Sequence, residues 1–211
     1  LQGVHSAYKS YGGIFLGATP TALDPIEVAG RADMHVLAQI AREARLACAE
    51  EALGWLKDLS SRVKALPLQR SSTAVTPTRY VDHLRELQRA RIIEEIREDQ
   101  ALHVCPYFSV PKTDGTARAI LNAKRLSKLF LVPPVVNLCE PVTVIDKLAE
   151  LARQGPLFAF TCDIRHWFHQ LSTDDKVRSM FAVRCADAWY WWRTLPMGFS
   201  YSPRICQSIA W

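Results

Sequence analysis

Between Arg31 and about Ala65, apolar residues recur near helical spacing among Arg, Glu and Lys: Met34, Leu37, Ile40, Ala41, Ala44, Ala47, Cys48, Ala52, Leu56, Leu59 and Val63. This pattern predicts one long helix or a helical pair. Residues 1–30 mix Gly, Pro, Tyr and Ala without a sustained period and predict nothing regular. LPLQRSSTAVTPT (66–78) is rich in Pro, Ser and Thr, which reads as a surface loop or linker and marks the best candidate boundary. From Thr78, a candidate N-cap, RYVDHLRELQRARIIEEIRED sets Val81, Leu84, Leu87, Ala90, Ile93 and Ile96 at three-residue steps. The expectation is a single amphipathic helix through that stretch.

Two short β-prone runs follow, VCPYFSVPK and ARAILN, joined around Lys112-Thr113-Asp114-Gly115, whose Asp-Gly pair signals a hairpin. TVIDKLAELARQG (143–155) predicts a helix capped by Thr143 and ended by Gly155. LFAFTCDI (157–164) is a nearly continuous apolar run that predicts a strand ending at Asp163. MFAVRCADAWYWWRTLP (180–196) reads as two strands around Ala186-Asp187-Ala188, and SPRICQSIAW as the opening of another helix. Helix, hairpin, helix, strand, hairpin, helix is an α+β order, not an alternation of βαβ units.

Composition narrows this picture little. The 211 residues are 49% apolar, enough for a sizeable core, and the formal charge of +5 is compatible with a polyanionic partner without requiring one. The six cysteines form no C-x-x-C pair and no dense framework, so a zinc knuckle and a secreted disulfide scaffold are both disfavoured, and reduced thiols are expected. No signal peptide opens the chain and no apolar run reaches the roughly 18 residues that span a bilayer, so no membrane partner and an intracellular setting are expected.

Asp163 is the first residue with a chemical case. A carboxylate at the end of a rigid apolar strand can offer a hard oxygen to a divalent cation; it can equally cap the following turn. Phe168, a short turn beyond, could cover a sugar or simply fill core. Lys112 and Arg118 flank the hairpin tip, where two cations could close on a triphosphate, although edge-strand cations also guard against aggregation. LPMGFSYSP (195–203) combines Pro196, Gly198 and Pro203 with small hydroxyl residues and predicts a loop that permits close approach of backbone or a base. His166 and His169 share a helical face but lack further ligands for zinc, so packing roles are expected. The WYWW run (189–192) fits alternating burial in a strand better than base stacking.

Read in order, YFSVPKTDGTARAILNAKRLS, FAFTCDIRHWFHQLSTDDKVRSMFAV and YWWRTLPMGFSYSPRICQS resemble the fingers and palm motifs of reverse transcriptases from retroelements, in the gypsy-like or DIRS-like branch of retrotransposons. In the first block Lys112, Asp114, Gly115, Arg118 and Leu126 fit the fingers hairpin. In the second, Asp163 matches the first catalytic aspartate, Phe168 the residue that excludes a ribose 2′-hydroxyl, and His169-Gln170 and Phe181 their neighbours. In the third, Leu195, Pro196, Gly198, Ser202, Pro203 and Gln207 are in register. Trp167 stands where the family usually has a small residue, and Asn122 and Lys124 replace the usual Asp and Arg.

The resemblance implies the fingers and partial palm of a right-hand polymerase over residues 80–211, preceded by a linker at 67–79 and a helical region at 1–66. It implies an RNA-directed DNA polymerase that uses two Mg²⁺ (or Mn²⁺) ions, deoxynucleoside triphosphates and an RNA or DNA template with its primer. Asp163 and Ile164 would hold metal. Lys112, Arg118, His166, Trp167, Phe168, Met197 and Gly198 would face the nucleotide, and Pro196, Phe199, Ser200 and Gln207 the template and primer. The family's aromatic-x-Asp-Asp hairpin is expected after Trp211, so the chain is expected to be an N-terminal fragment, inactive alone. It would belong to a polyprotein with RNase H, integrase or recombinase domains, in cytoplasm, nucleus or a virus-like particle. A non-catalytic nucleic-acid-binding remnant and an RNA-dependent RNA polymerase-like palm are the alternatives, and the bulk of Phe168 argues against the latter.

Overall fold

The computed structural model describes residues 22–24, 31–64, 74–135, 140–158 and 163–210. The helical pattern after Arg31 resolves into a pair, α1 (Met34–Glu43) and α2 (Ala47–Lys57). Asp33 caps α1 by accepting from the amides of His35 and Val36 at 2.9 and 3.2 Å, and the chain breaks at Arg45, which takes a left-handed φ of 53°.

α3 (Val81–Arg89) is shorter than its sequence suggested. The predicted helix through Asp99 stops at Ala90, Arg91 adopts φ 56°, and Ile93–Ile96 form strand β1. The three-residue apolar step continues through Ile93 and Ile96, which is why periodicity alone carries the helix too far. Long-range pairing wins instead: β1 runs antiparallel to Ala188–Trp192 with Ile93 opposite Trp192, and Ile92 and Ile93 are buried. Thr78, expected as an N-cap, lies within a 3₁₀ turn, Thr78–Tyr80, and makes no side-chain cap.

β2 (Tyr107–Pro111) and β3 (Ala117–Leu121) form the expected hairpin, followed by the short α4 (Lys124–Ser127). α5 (Pro141–Ala152) starts two residues before the expected cap at Thr143, because Pro141 takes the first turn and Glu140 the cap position; none of its residues is buried. Leu157, Phe158, Asp163 and Ile164 belong to no strand and are exposed, Phe158 at 95%. The expected strand end at Asp163 is therefore not observed: among the described residues no strand pairs with 157–158 or 163–164, and 159–162 lie outside the described residues.

α6 (Trp167–Gln170) and α7 (Asp175–Arg178) lead into β4 (Ala182–Cys185) and β5 (Ala188–Trp192), hinged at Ala186 with φ 52°, and α8 (Ser202–Ala210) closes the described chain. The three-stranded sheet has the order β1-β5-β4, separate from the β2-β3 hairpin. In β5 only Trp192 is fully buried, so the WYWW run does not alternate as expected: Trp191 donates to the Gln100 carbonyl and Trp189 lies under the Arg184 guanidinium.

One core unites these elements. Trp55, Leu56 and Leu59 from the N-terminal helices share it with Tyr107, Phe130, Phe181, Trp192, Phe199 and Tyr201. The Arg62 guanidinium sits over the rings of Trp55 and Tyr201, and Arg62 Nε donates to the Tyr201 hydroxyl, which donates to the Leu131 carbonyl at 3.0 Å. Cys48, Cys105, Cys185 and Cys206 are free, and burial raises the thiols of Cys105 and Cys206 to about 12. Among the described residues no helix is long and apolar enough to cross a membrane.

Candidate functional site

The hairpin tip is a tight turn closed by its own side chain. Lys112 N–H donates to the Thr116 carbonyl at 2.8 Å, and Asp114 Oδ1 accepts from both the amide and the hydroxyl of Thr116. Gly115, at φ 82°, supplies the conformation that the Asp-Gly pair predicts. Lys112 and Arg118 line one depression of about 320 Å³ together with Asp114. Arg118 is exposed and has no acidic partner among the described residues. Lys112 Nζ is paired with Asp24 at 2.6 Å and lies 3.9 Å from Asp114. Asp24 arrives on residues 22–24, where Leu23 bridges Ala117 in parallel.

The second motif begins exposed and turns inward. Asp163, Ile164 and Arg165 are exposed; His166 then takes φ 53° and opens α6. The Gln170 side-chain amide ties this turn by donating to the Arg165 carbonyl, and Trp167 Nε1 reaches the Cys206 carbonyl on α8 at 3.4 Å. That bond ties the turn to α8. His169 is buried between His166 and Trp192 with Nδ1 3.5 Å from Thr194 Oγ1, and burial pushes its pKa down to about 4, with His166 and Arg31 adding in the same direction. The chain beyond α6 pairs with the third motif: Ser172 bridges Thr194, Leu195 N–H donates to the Leu171 carbonyl and Thr173 N–H to that of Arg193.

The loop from Leu195 to Tyr201 is fixed from both sides. Ser202 Oγ donates to the Pro196 carbonyl at 2.6 Å, and Leu121 N–H of β3 donates to the Met197 carbonyl at 3.0 Å. Gly198, at φ 110°, lies against the Leu121 carbonyl oxygen so closely that a Cβ would overlap it. The close approach expected of this loop is thus made by β3 backbone. Phe199 plugs into an aromatic cluster, with Phe130, Phe181 and Tyr201 rings at 5.3, 5.0 and 5.5 Å.

A groove of about 630 Å³ results. Phe168 of the second motif meets Met197, Gly198, Phe199 and Ser200 of the third on its walls, and among the described residues Lys64, Lys124 and Lys128 line it and no acid does. Ser200 N–H donates to Ser127 Oγ, and its own buried hydroxyl has no partner among the described residues. Pro196 is buried behind the loop and Gln207 half-buried on α8, so neither lines the groove. Asp163 and Ile164 stand outside the lining of both depressions. Sequence reasoning missed Lys64 and Lys128. Lys64 joins only because residues 62–64 pair with 129–131 across Val63 and Phe130, a long-range contact that periodicity does not carry.

No protein-family model matches the chain. It is 29% identical over 109 residues to the Tf2-7 transposon polyprotein of Schizosaccharomyces pombe (strain 972 / ATCC 24843), a match covering 51% of this chain and 8% of that protein; the Tf2-8 polyprotein gives the same values. The chain is similar to these transposon polyproteins over about half of its own length. It spans about 8% of the length of the relatives it matches. The retroelement resemblance drawn from the three motif blocks stands with this similarity. Among solved structures, a foamy viral protease–reverse transcriptase in complex with double-stranded DNA aligns with TM-score 0.47 and 17% identity, over 67% of this chain and 28% of that one. A related foamy viral complex aligns with TM-score 0.48 and 14% identity, over 85% and 35%.

Two outcomes check this geometry. Gly198→Ala combines a left-handed φ with overlap against rigid backbone and should lower unfolding free energy by roughly 2–4 kcal/mol in urea titration. For His169 the sign follows from a depressed native pKa: the unfolded chain takes up the proton near 6.5 and the folded one only near 4. Its share of stability is whole above pH 6.5 and is lost as pH falls toward 4. His169→Gln should therefore flatten the fall in Tm across that window relative to the parent, as read by calorimetry; parallel curves would contradict the burial.

Proposed function

We propose that this chain is the fingers and first palm segment of a retroelement reverse transcriptase, an RNA-directed DNA polymerase that adds deoxynucleoside triphosphates to a primer 3′-hydroxyl on an RNA or DNA template. The observation that carries the reading is the convergence of Phe168 with Met197, Gly198 and Ser200 on one lysine-rimmed groove, since these residues come from two motif blocks that resemble the family. The transposon relatives support the retroelement setting.

On this reading Lys112 and Arg118 neutralise the triphosphate, Phe168 covers the sugar, and the loop carrying Met197 and Gly198 backs the base. Lys64, Lys124 and Lys128 hold phosphates of the template strand, and the apolar walls of the same groove receive its bases. His166 and Trp167 shape the turn that carries Asp163: one opens the helix in a left-handed conformation and the other ties it to α8.

The implied cofactor is Mg²⁺ or Mn²⁺, two ions in the intact enzyme. The Asp163 carboxylate and the Ile164 carbonyl are hard oxygen donors suited to it, and Asp163 is exposed. The described residues contain no group of three or more His, Cys, Asp or Glu positioned as metal ligands, so the donor set here is partial. Held by the Asp163 carboxylate and the Ile164 carbonyl, such ions would supply Lewis-acid stabilisation of the negative charge that develops in phosphoryl transfer. Asp174 and Asp175 are not part of that set, because Asp174 caps α7 and Asp175 pairs with Arg178.

The test is primer extension on poly(rA) with an oligo(dT) primer, dTTP and Mg²⁺, in the full protein of which this chain is a part. Asp163→Asn should reduce synthesis by roughly 10²-fold or more with circular dichroism unchanged, and normal synthesis would remove the metal assignment. Phe168→Ala should raise ribonucleotide use relative to deoxyribonucleotide by roughly tenfold or more, and unaltered discrimination would remove the sugar gate.

A further inference from the structure

We propose that Asp24 is a built-in occupant of the phosphate position on Lys112, so that a nucleotide entering at the hairpin must displace the segment at residues 22–24. The inference rests on the reading of the hairpin as a phosphate clamp and adds a regulator to it.

The carboxylate is carried to Lys112 by a defined piece of structure. Leu23 bridges Ala117 in parallel, Asp24 N–H donates to the Ala117 carbonyl at 3.0 Å and Ala117 N–H to the Ala22 carbonyl at 2.9 Å. The Leu23 side chain is 6% exposed and belongs to the main core. Residues 22–24 therefore continue the hairpin along its β3 edge, and the register of that pairing sets where Asp24 falls.

Among the described residues two carboxylates lie near the Lys112 ammonium, and they are not equivalent. Asp114 is 3.9 Å away, with one oxygen already accepting two bonds from Thr116. Asp24 is at 2.6 Å, and the pair is about three-quarters withdrawn from solvent. Lys112 holds the Asp24 carboxyl below its usual range, and the charges of His166 and Arg165 add to the effect. Asp24 thus lies within electrostatic reach of both the hairpin cation and the turn that follows Asp163. A triphosphate spanning those two places would meet the same positive field and would be repelled by a carboxylate left in it.

The pair is partly exposed and a triphosphate offers more charge and more oxygens, so displacement by mass action is feasible at ordinary nucleotide concentrations. The contact raises the nucleotide concentration needed to fill the site without blocking it outright. Movement of residues 22–24 costs two backbone bonds and the partial exposure of Leu23, which ties nucleotide entry to the state of the segment that precedes the helical pair.

Isothermal titration of the chain with dTTP and Mg²⁺ tests this with three variants. Asp24→Asn should bind roughly threefold to tenfold more tightly than the parent. Lys112→Ala should bind more weakly, and adding Asp24→Asn to it should bring no further gain. Equal or weaker binding by Asp24→Asn, with Lys112→Ala still weakened, would overturn the latch and leave the clamp standing. A gain from Asp24→Asn that persists undiminished without Lys112 would assign the effect to general charge and also overturn it. No dTTP binding by the parent or any variant would remove the clamp reading and the latch with it.

Discussion

The contact of Gly198 with the backbone of Leu121 is the constraint on which the groove depends. A side chain at 198 would overlap the Leu121 carbonyl, and the neighbouring Met197 carbonyl takes the Leu121 amide. That close approach locks the loop before α8 onto the hairpin. Phe199 is then forced under the loop into the ring cluster of Phe130, Phe181 and Tyr201, and Phe168 meets the exposed side of the same loop. Hairpin, turn and loop come from three sequence blocks, yet one hydrogen bond and one missing Cβ hold two of them in register.

The N-terminal segments take part in this assembly. Arg62 and Lys64 lie along 129–131, so one residue packs over Trp55 and Tyr201 while the other adds a cation to the groove. Asp24 reaches the hairpin tip from still earlier in the chain. Among the described residues, positive charge in the groove is matched by no lining acid, whereas at the hairpin tip it is already answered by a carboxylate. The two depressions therefore offer different electrostatics to a polyanion: one open, one occupied from within.

What could be read from the sequence was local. The Asp-Gly signal gave the hairpin because Gly115 needs a positive φ and Asp114 can close the turn on Thr116. The spacing of Gly198 and Pro203 gave a tight loop into α8. What escaped depended on distant partners. Ile93 and Ile96 keep a helical step, and only Trp192 and Trp189 across the sheet make them a strand. The run ending at Asp163 is apolar enough for a strand, but its described ends find no ladder. Asp24 and Lys64 belong to stretches whose local pattern says nothing about a site; their roles arise from pairing with residues 117 and 130.

The most direct measurement of the central claim is photocrosslinking of a template–primer whose template overhang carries 5-iodouridine, followed by peptide mapping. A template held in the lysine-rimmed groove should give adducts in the peptides spanning 124–133 and 197–203, suppressed by Lys124→Ala with Lys128→Ala. Crosslinks spread evenly over the surface, or concentrated on the faces away from Phe168 and Met197, would contradict that placement.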